Sequence, residues 1–380
     1  MKKLFIAIGT VLLAACATEN KPAAPELFEA AAFQTEIGGK QTSLYTLTNA
    51  NGMAVQLTNY GARIVDLWVP AKDGSFKDVV MGFENIEGYL KAKDINNGPV
   101  VGRYGNRIGK GRFTLDGTEY QLTINEGENH LHGGTGGFSS RVWDAVQEGN
   151  SVAFSYLSPD GEDGYPGNMN IKAVYTLTDD NQLVITYEAT TDAPTILNPT
   201  SHSYFNLHGT NDLSTNSHVL TIYADSFTPT DAALIPTGEI ATVEGTPLDF
   251  RTATAVGERI ESDFEAIKLG GGYDHNWILT KGNADKDVKT VELAAEAYEP
   301  STGIVMKVLT DQPAIQFYSG NFMDGSDAGK RGNVNNYRSG IALETQNYPD
   351  APNHENFPSA VLRPGETYTQ TCVYKFEVKN

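Results

Sequence analysis

The strongest constraint on this chain is a two-residue alternation of apolar and polar side chains, repeated in short runs between turn residues. Phe113 to Leu122 alternates on both sides of Asp116-Gly117, the dipeptide of a tight hairpin. Val174-Tyr175-Thr176-Leu177-Thr178 and Leu183-Val184-Ile185-Thr186-Tyr187 flank Asp179 to Gln182 as a second hairpin. Val219 to Tyr223, Val288 to Ala295, Ile304 to Leu309 and Ala314 to Tyr318 continue the pattern, and Thr369 to Val378 reads as the last strand. A period of two sends successive side chains to opposite faces, so such a chain must pair its strands and bury one face of each sheet. One short helical stretch is expected, near Ala255 to Ile267. Many short strands with few helices predict an all-β fold, a large antiparallel β-sandwich with its site on loops and concave sheet faces.

Charge narrows the function. Lys and Arg total 28 and Asp and Glu 47, so the net charge is 28 − 47 = −19. That balance works against nucleic acid and gives no attraction to an anionic substrate, which leaves a neutral one. At the N-terminus, Lys2 and Lys3 precede an apolar run from Leu4 to Ala15, too short to span a bilayer and patterned like a secretory signal. Its end, Leu13-Ala14-Ala15-Cys16, resembles a bacterial lipobox, which implies cleavage before Cys16 and lipidation of its thiol. The expected organisation is a signal peptide over residues 1–15, a flexible tether over 16–32 and a single domain over 33–380. The expected location is the bacterial cell envelope, with contact to the membrane through the lipid anchor only. Cys372 is then the only thiol left in the body, so no internal disulfide is available.

Polar residues gather beside Gly and aromatics in five segments: Val101 to Phe113, Asn129 to Gly134, Asn198 to Leu207, Gly271 to Trp277 and Leu343 to Ala351. The set, in this order from about Tyr60 to the C-terminus, resembles the aldose 1-epimerase (galactose mutarotase) family. The segments around His202 and Glu344 carry most of that likeness. Two positions depart from it: Ser201 stands where the family usually has Asn, and Gly105 where Ala is commoner.

The resemblance implies the supersandwich fold of that family and conversion between the α and β anomers of free aldoses such as glucose or galactose. It assigns Glu344 as the base and His202 as the acid. It also implies that Asn106, Arg107, His132, Asp274 and Gln316 hold the sugar, and Ser203 and Tyr204, next to His202, are expected to bind it with them. Arg107 and His132 would donate and Asp274 accept, and Tyr204 and Trp277 would offer a ring face. The residue types suit the chemistry. Ring opening needs one group to take the C1 hydroxyl proton and another to protonate the ring oxygen, and a carboxylate with an imidazolium does both without metal or cofactor.

Other readings compete. His202 among Thr200, Ser201, Tyr204 and Phe205 reads equally as a hydrogen-bonded core histidine, and Glu344 follows an apolar run in which a carboxylate needs a reason. Arg103, Arg107, Lys110 and Arg112 form a basic cluster that reads as a solvated hairpin or as the phosphate pocket of a hexose-6-phosphate 1-epimerase. His130-x-His132 has metal-ligand spacing but no third ligand nearby in sequence. A non-catalytic carbohydrate-binding sandwich would use the same hydroxyl-holding residues. A glycoside hydrolase would use Asp274 and Glu344 as its carboxylate pair.

Overall fold

Alternation and turn chemistry resolve into three antiparallel sheets, joined by several two-stranded pairs, in a computed structural model that describes residues 24–209, 213–281 and 290–380. The largest sheet has nine strands. Asp144–Glu148, Ser151–Ser158, Met169–Leu177 and Gln182–Thr191 follow one another as hairpin-linked neighbours. The C-terminal strand Tyr368–Val378 then inserts beside Gln182–Thr191, and Ile304–Thr310, Glu292–Glu299, Val219–Ile222 and Thr254–Ala255 complete the sheet. The six-stranded sheet runs Tyr204–Phe205, Ile341–Gln346, Ala314–Tyr318, Asp274–Leu279, Ala224–Thr228 and Ala241–Thr242. Four strands from Leu44–Thr48 to Phe76–Asp78 form the third.

The nine- and six-stranded sheets share one core. The rings of Phe205 and Tyr374 lie 4.9 Å apart, the Tyr374 hydroxyl donates to the Leu343 carbonyl at 3.3 Å, and Gln370 Nε2 donates to the Thr345 carbonyl at 3.0 Å. Strand alternation then decides which residues of the six-stranded sheet leave that core. Asp274 pairs with Tyr318, Tyr318 with Ala342 and Ala342 with Tyr204, while Asn276 pairs with Gln316 and Gln316 with Glu344. Directly opposed residues share a face, so both rows lie on one side. His275, Trp277, Phe317 and Leu343 point the other way into the apolar interior, all at 1% exposure or less. A one-residue slip would exchange the two sets, and the cost of burying the carboxylate row in the sandwich pins the register.

Three expectations shift. The helix near Ala255 to Ile267 is instead a 3₁₀ turn at Val256–Glu258 and an α-helix at Glu265–Gly270, which ends where Gly271 takes φ 65° and its N–H meets the Ile267 and Lys268 carbonyls. An unexpected helix, Ile86–Lys91, starts at Asn85, whose side chain accepts the Gly88 N–H. The strand placed from Val288 runs over Glu292–Glu299, and its first expected residues lie outside the described chain.

The segment assigned to the tether is docked on the body from Glu26. The Phe28 N–H donates to Gln56 Oε1 at 2.8 Å, and the Arg331 guanidinium covers the Phe28 ring at 4.3 Å while donating to the Glu26 carbonyl. Phe28 supplies the apolar contact and Arg331 the cation–π partner that a free tether lacks. Residues 1–23, including the expected signal peptide and Cys16, lie outside the described residues.

Candidate active site

His202 sits on the step between two short strands. Thr200–Ser201 pairs with Val100–Val101, and Tyr204–Phe205 pairs with Ile341–Gln346. Its N–H donates to the Pro99 carbonyl at 2.9 Å and its carbonyl accepts the Gly98 N–H at 3.0 Å. The next strand over delivers Glu344, whose Oε1 lies 3.6 Å from His202 Nε2. Both side chains line one cavity of about 310 Å³, together with Asn106, Arg107, His132, Tyr204, Asp274 and Tyr318. His202 is 4% exposed and Glu344 2%, so a charge on either is felt by the other with little water between them.

Burial pushes the Glu344 carboxyl up to about 7, with Asp274 adding to the rise and His202 and Arg107 opposing it. The folded protein therefore holds this proton across the window from 4.5 to about 7, where the unfolded chain has released it. The carboxyl's contribution to stability is fully present below that window and falls as pH rises through it. Near neutrality Glu344 is poised to take or release a proton, which a general base requires.

A second strand pair, Arg107–Ile108 with His130–Leu131, closes another side of the cavity. Asn106 and His132 both adopt left-handed backbone, at φ 63° and 53°. After His132 the chain passes so close to Gly102 that a Cβ on Gly133 would stand 1.8 Å from the Gly102 carbonyl oxygen, so only glycine fits there. The His132 ring is held by the Asn106 N–H, which donates to Nδ1 at 3.0 Å. Burial first, then His202 and Arg107, keep this imidazole well below the usual histidine range, hence neutral with its hydrogen on Nε2. Arg107 is shared between Glu126 at 3.0 Å and Asp274 at 3.7 Å.

The structure brings Glu344, His202, Asn106, Arg107, His132, Tyr204 and Asp274 together. Gln316 stands behind them: its Nε2 donates to Asp274 Oδ1 at 2.7 Å, so it orients Asp274 and is not among the lining residues. Ser203 is also off the lining, because alternation turns it away from His202 and Tyr204, with its hydroxyl 3.5 Å from that of Ser201. With serine at position 201, Nδ1 of His202 has no hydrogen-bond partner among the described residues. Trp277, expected against the sugar, is fully buried in the core among Phe250, Tyr273 and Phe317 and donates to the Leu248 carbonyl at 3.0 Å. It lies three residues from Asp274, an odd spacing, and so on the opposite face. His275 holds the backbone of Asp274, whose N–H donates to its Nδ1 at 3.1 Å. Lys93, Asp94, Phe322, Asp324 and Asp327 also line the cavity and were not foreseen, since they reach it from segments without a motif.

The basic cluster does not assemble into a phosphate pocket. Arg103 is buried and spends its guanidinium on Ser158, Pro159, Pro166 and Thr195. Arg112 donates to Gln121 at 2.6 Å, and of the four cations only Arg107 lines the cavity. Nor do His130 and His132 converge on a metal. His130 bonds the Thr123 carbonyl at 2.7 Å and the Tyr165 hydroxyl at 2.6 Å. His132 lies near His202 and Glu344 instead, but the Asn106 N–H already occupies one of its nitrogens and the ring hydrogen the other. His218, grouped with His208 and Glu299, is occupied in the same way, its Nε2 accepting the Leu207 N–H at 2.8 Å.

The family described as "Aldose 1-epimerase" matches residues 43–375. Galactose mutarotase of Bos taurus is 45% identical over 326 residues, 86% of this chain and 92% of the relative. Aldose 1-epimerase of Escherichia coli K12 is 38% identical over 342 residues, 89% of this chain and 96% of the relative. The crystal structure of an aldose epimerase homologue from C. elegans superposes with a TM-score of 0.81 at 33% identity, over 89% of this chain and 100% of that one. The mutarotases of cattle, human and rat, at 43–45% identity, are at odds with a bacterial lipid-anchored envelope protein, which corrects the location expected from the N-terminal segment.

Proposed function

The chain belongs to the aldose 1-epimerase family, and from that premise we propose that it interconverts the anomers of free aldoses by proton exchange between Glu344 and His202. One observation carries the residue assignment: an imidazole and a carboxylate 3.6 Å apart in one buried cavity of about 310 Å³, edged by donors and acceptors suited to hydroxyls.

The steps follow from the pair. Glu344 as carboxylate takes the proton of the C1 hydroxyl while the bond from C1 to the ring oxygen breaks. The electron pair goes to the ring oxygen, which takes a proton from the imidazolium of His202. The product is the open-chain aldehyde, with Glu344 protonated and His202 neutral. After rotation about C1–C2, His202 removes the hydroxyl proton, the oxygen attacks the other face of C1, and Glu344 returns its proton to the carbonyl oxygen. One proton is shared by the two groups throughout, so the cycle closes on itself. Each positioned transfer contributes about 10²–10⁴-fold. Arg107, Asn106 and the Nε2 hydrogen of His132 supply donors that hold the sugar, and Asp274, braced by Gln316, supplies an acceptor.

Polarimetry tests the function. The protein accelerates mutarotation of fresh α-D-glucose and α-D-galactose above the spontaneous rate, and glucose-6-phosphate turns over poorly, because the second cation on the lining, Lys93, is already paired with Asp324. No acceleration with any free aldose overturns the reading. The pH profile tests the pair. Because only the singly protonated pair is competent, kcat/KM is bell-shaped, and its acid limb lies near pH 7, where Glu344 must lose its proton to act. A profile flat from about pH 4 to about pH 9 removes the acid–base pair.

A further inference from the structure

We propose that Asp94 is a positioning residue: it fixes Tyr204, and through that ring it sets the orientation from which His202 protonates the sugar's ring oxygen. The inference rests on the acid role of His202 given above.

Two rings meet the His202 imidazole edge to face. His132 does so at 4.9 Å and 86°, and Tyr204 at 5.0 Å and 78°. Such contacts have preferred geometries, so the pose of the imidazole follows the pose of its neighbours. His132 is locked by the Asn106 N–H. Tyr204 needs its own lock, because a ring held only by packing can swing about its Cα–Cβ bond and carry its face away from the imidazole. Asp94 provides it, with Oδ2 accepting the Tyr204 hydroxyl at 2.8 Å.

Asp94 is itself held from several directions. Its other oxygen accepts the Asn96 N–H at 2.9 Å, and its carbonyl accepts from Asn97 Nδ2 at 3.0 Å. The Asp327 carboxylate takes the Lys93 N–H at 3.0 Å on one oxygen and the Asp94 N–H at 3.1 Å on the other. The same segment ends at Gly98, whose N–H reaches the His202 carbonyl. The loop therefore grips the acid twice: at its backbone through Gly98, and at its ring through Asp94 and Tyr204. A second role competes, since Asp94 also lines the cavity and could touch the sugar directly.

Steady-state mutarotation kinetics of the full chain separate the two. Positioning predicts that Asp94→Ala and Tyr204→Phe each lower kcat about tenfold with KM within about twofold, because a misaligned acid loses rate without losing binding. The double variant is no slower than the slower single, since both changes break one hydrogen bond. Asp94→Asn keeps an acceptor oxygen in place and retains kcat within about threefold. The proposal falls if Asp94→Ala keeps kcat within about twofold, if KM rises while kcat stays, or if the double variant loses the product of the single losses. Should Asp94→Ala fail to fold, Tyr204→Phe decides the matter: full kcat in that variant overturns the proposal. Failure of the underlying reading looks different, because the wild-type protein would then show no mutarotation to perturb.

Discussion

Replacing Glu344 with Gln lowers kcat for mutarotation by about 10²–10⁴-fold and leaves sugar affinity within about tenfold. The two side chains have nearly the same shape, and the amide still offers an oxygen to a hydroxyl. What it cannot do is accept the C1 proton, so the loss falls on the chemical step. Stability does not suffer. Glu344 is 2% exposed and already holds its proton up to about pH 7, so a neutral amide removes the cost of ionising a buried group. Polarimetry for rate, calorimetry for affinity and a denaturant titration for stability check the three parts. A Glu344→Gln variant with kcat within twofold of wild type would end the proton-exchange mechanism. A protein that only bound glycans would have no activity to lose in the first place.

The second large effect is on stability. Trp277→Ala is expected to lower the free energy of unfolding by about 3–5 kcal/mol, the range for removing a large aromatic from a packed core. The ring is fully buried and its Nε1 hydrogen bond to Leu248 satisfies its one polar atom. Phe250, Phe317 and Tyr273 cannot close the space it leaves, because each is held by its own strand or loop. Trp277→Phe costs less and leaves KM for glucose unchanged within about twofold, since the ring faces away from the cavity. Chemical denaturation with Michaelis kinetics reads both. A rise in KM for Trp277→Phe at undiminished stability would place the indole against the sugar, as its residue type suggests.

These predictions show where sequence reading succeeds and where it stops. The hairpins around Asp116-Gly117 and Asp179 to Gln182 were legible because turn type and alternation are set by neighbouring residues. The same rule excludes two of the expected contacts. Trp277 stands three residues from Asp274, and Ser203 one from both His202 and Tyr204, so period two places neither on the cavity face. Phe28, an aromatic inside a polar tether, was likewise a sign of docking. Asp94 and Asp327 had no such sign. Their roles exist only because a loop near residue 94 and another near residue 327 meet across the mouth of the site.

By itself, the order of residues determined which stretches alternate, and therefore that the chain must bury paired strands. It also determined which side chains able to carry a proton are present, and that both mechanistic partners sit within segments similar to those of a known family. The folded structure alone decided that His202 and Glu344 face each other at 3.6 Å, that Asp274 rather than Trp277 shares their side of the sheet, and that Arg103 is spent on carbonyls. The reason is physical. Side-chain direction along a strand is fixed by covalent geometry within two residues, whereas desolvation and Coulomb interaction depend on distances through space, which segments remote in the chain set only when they pack.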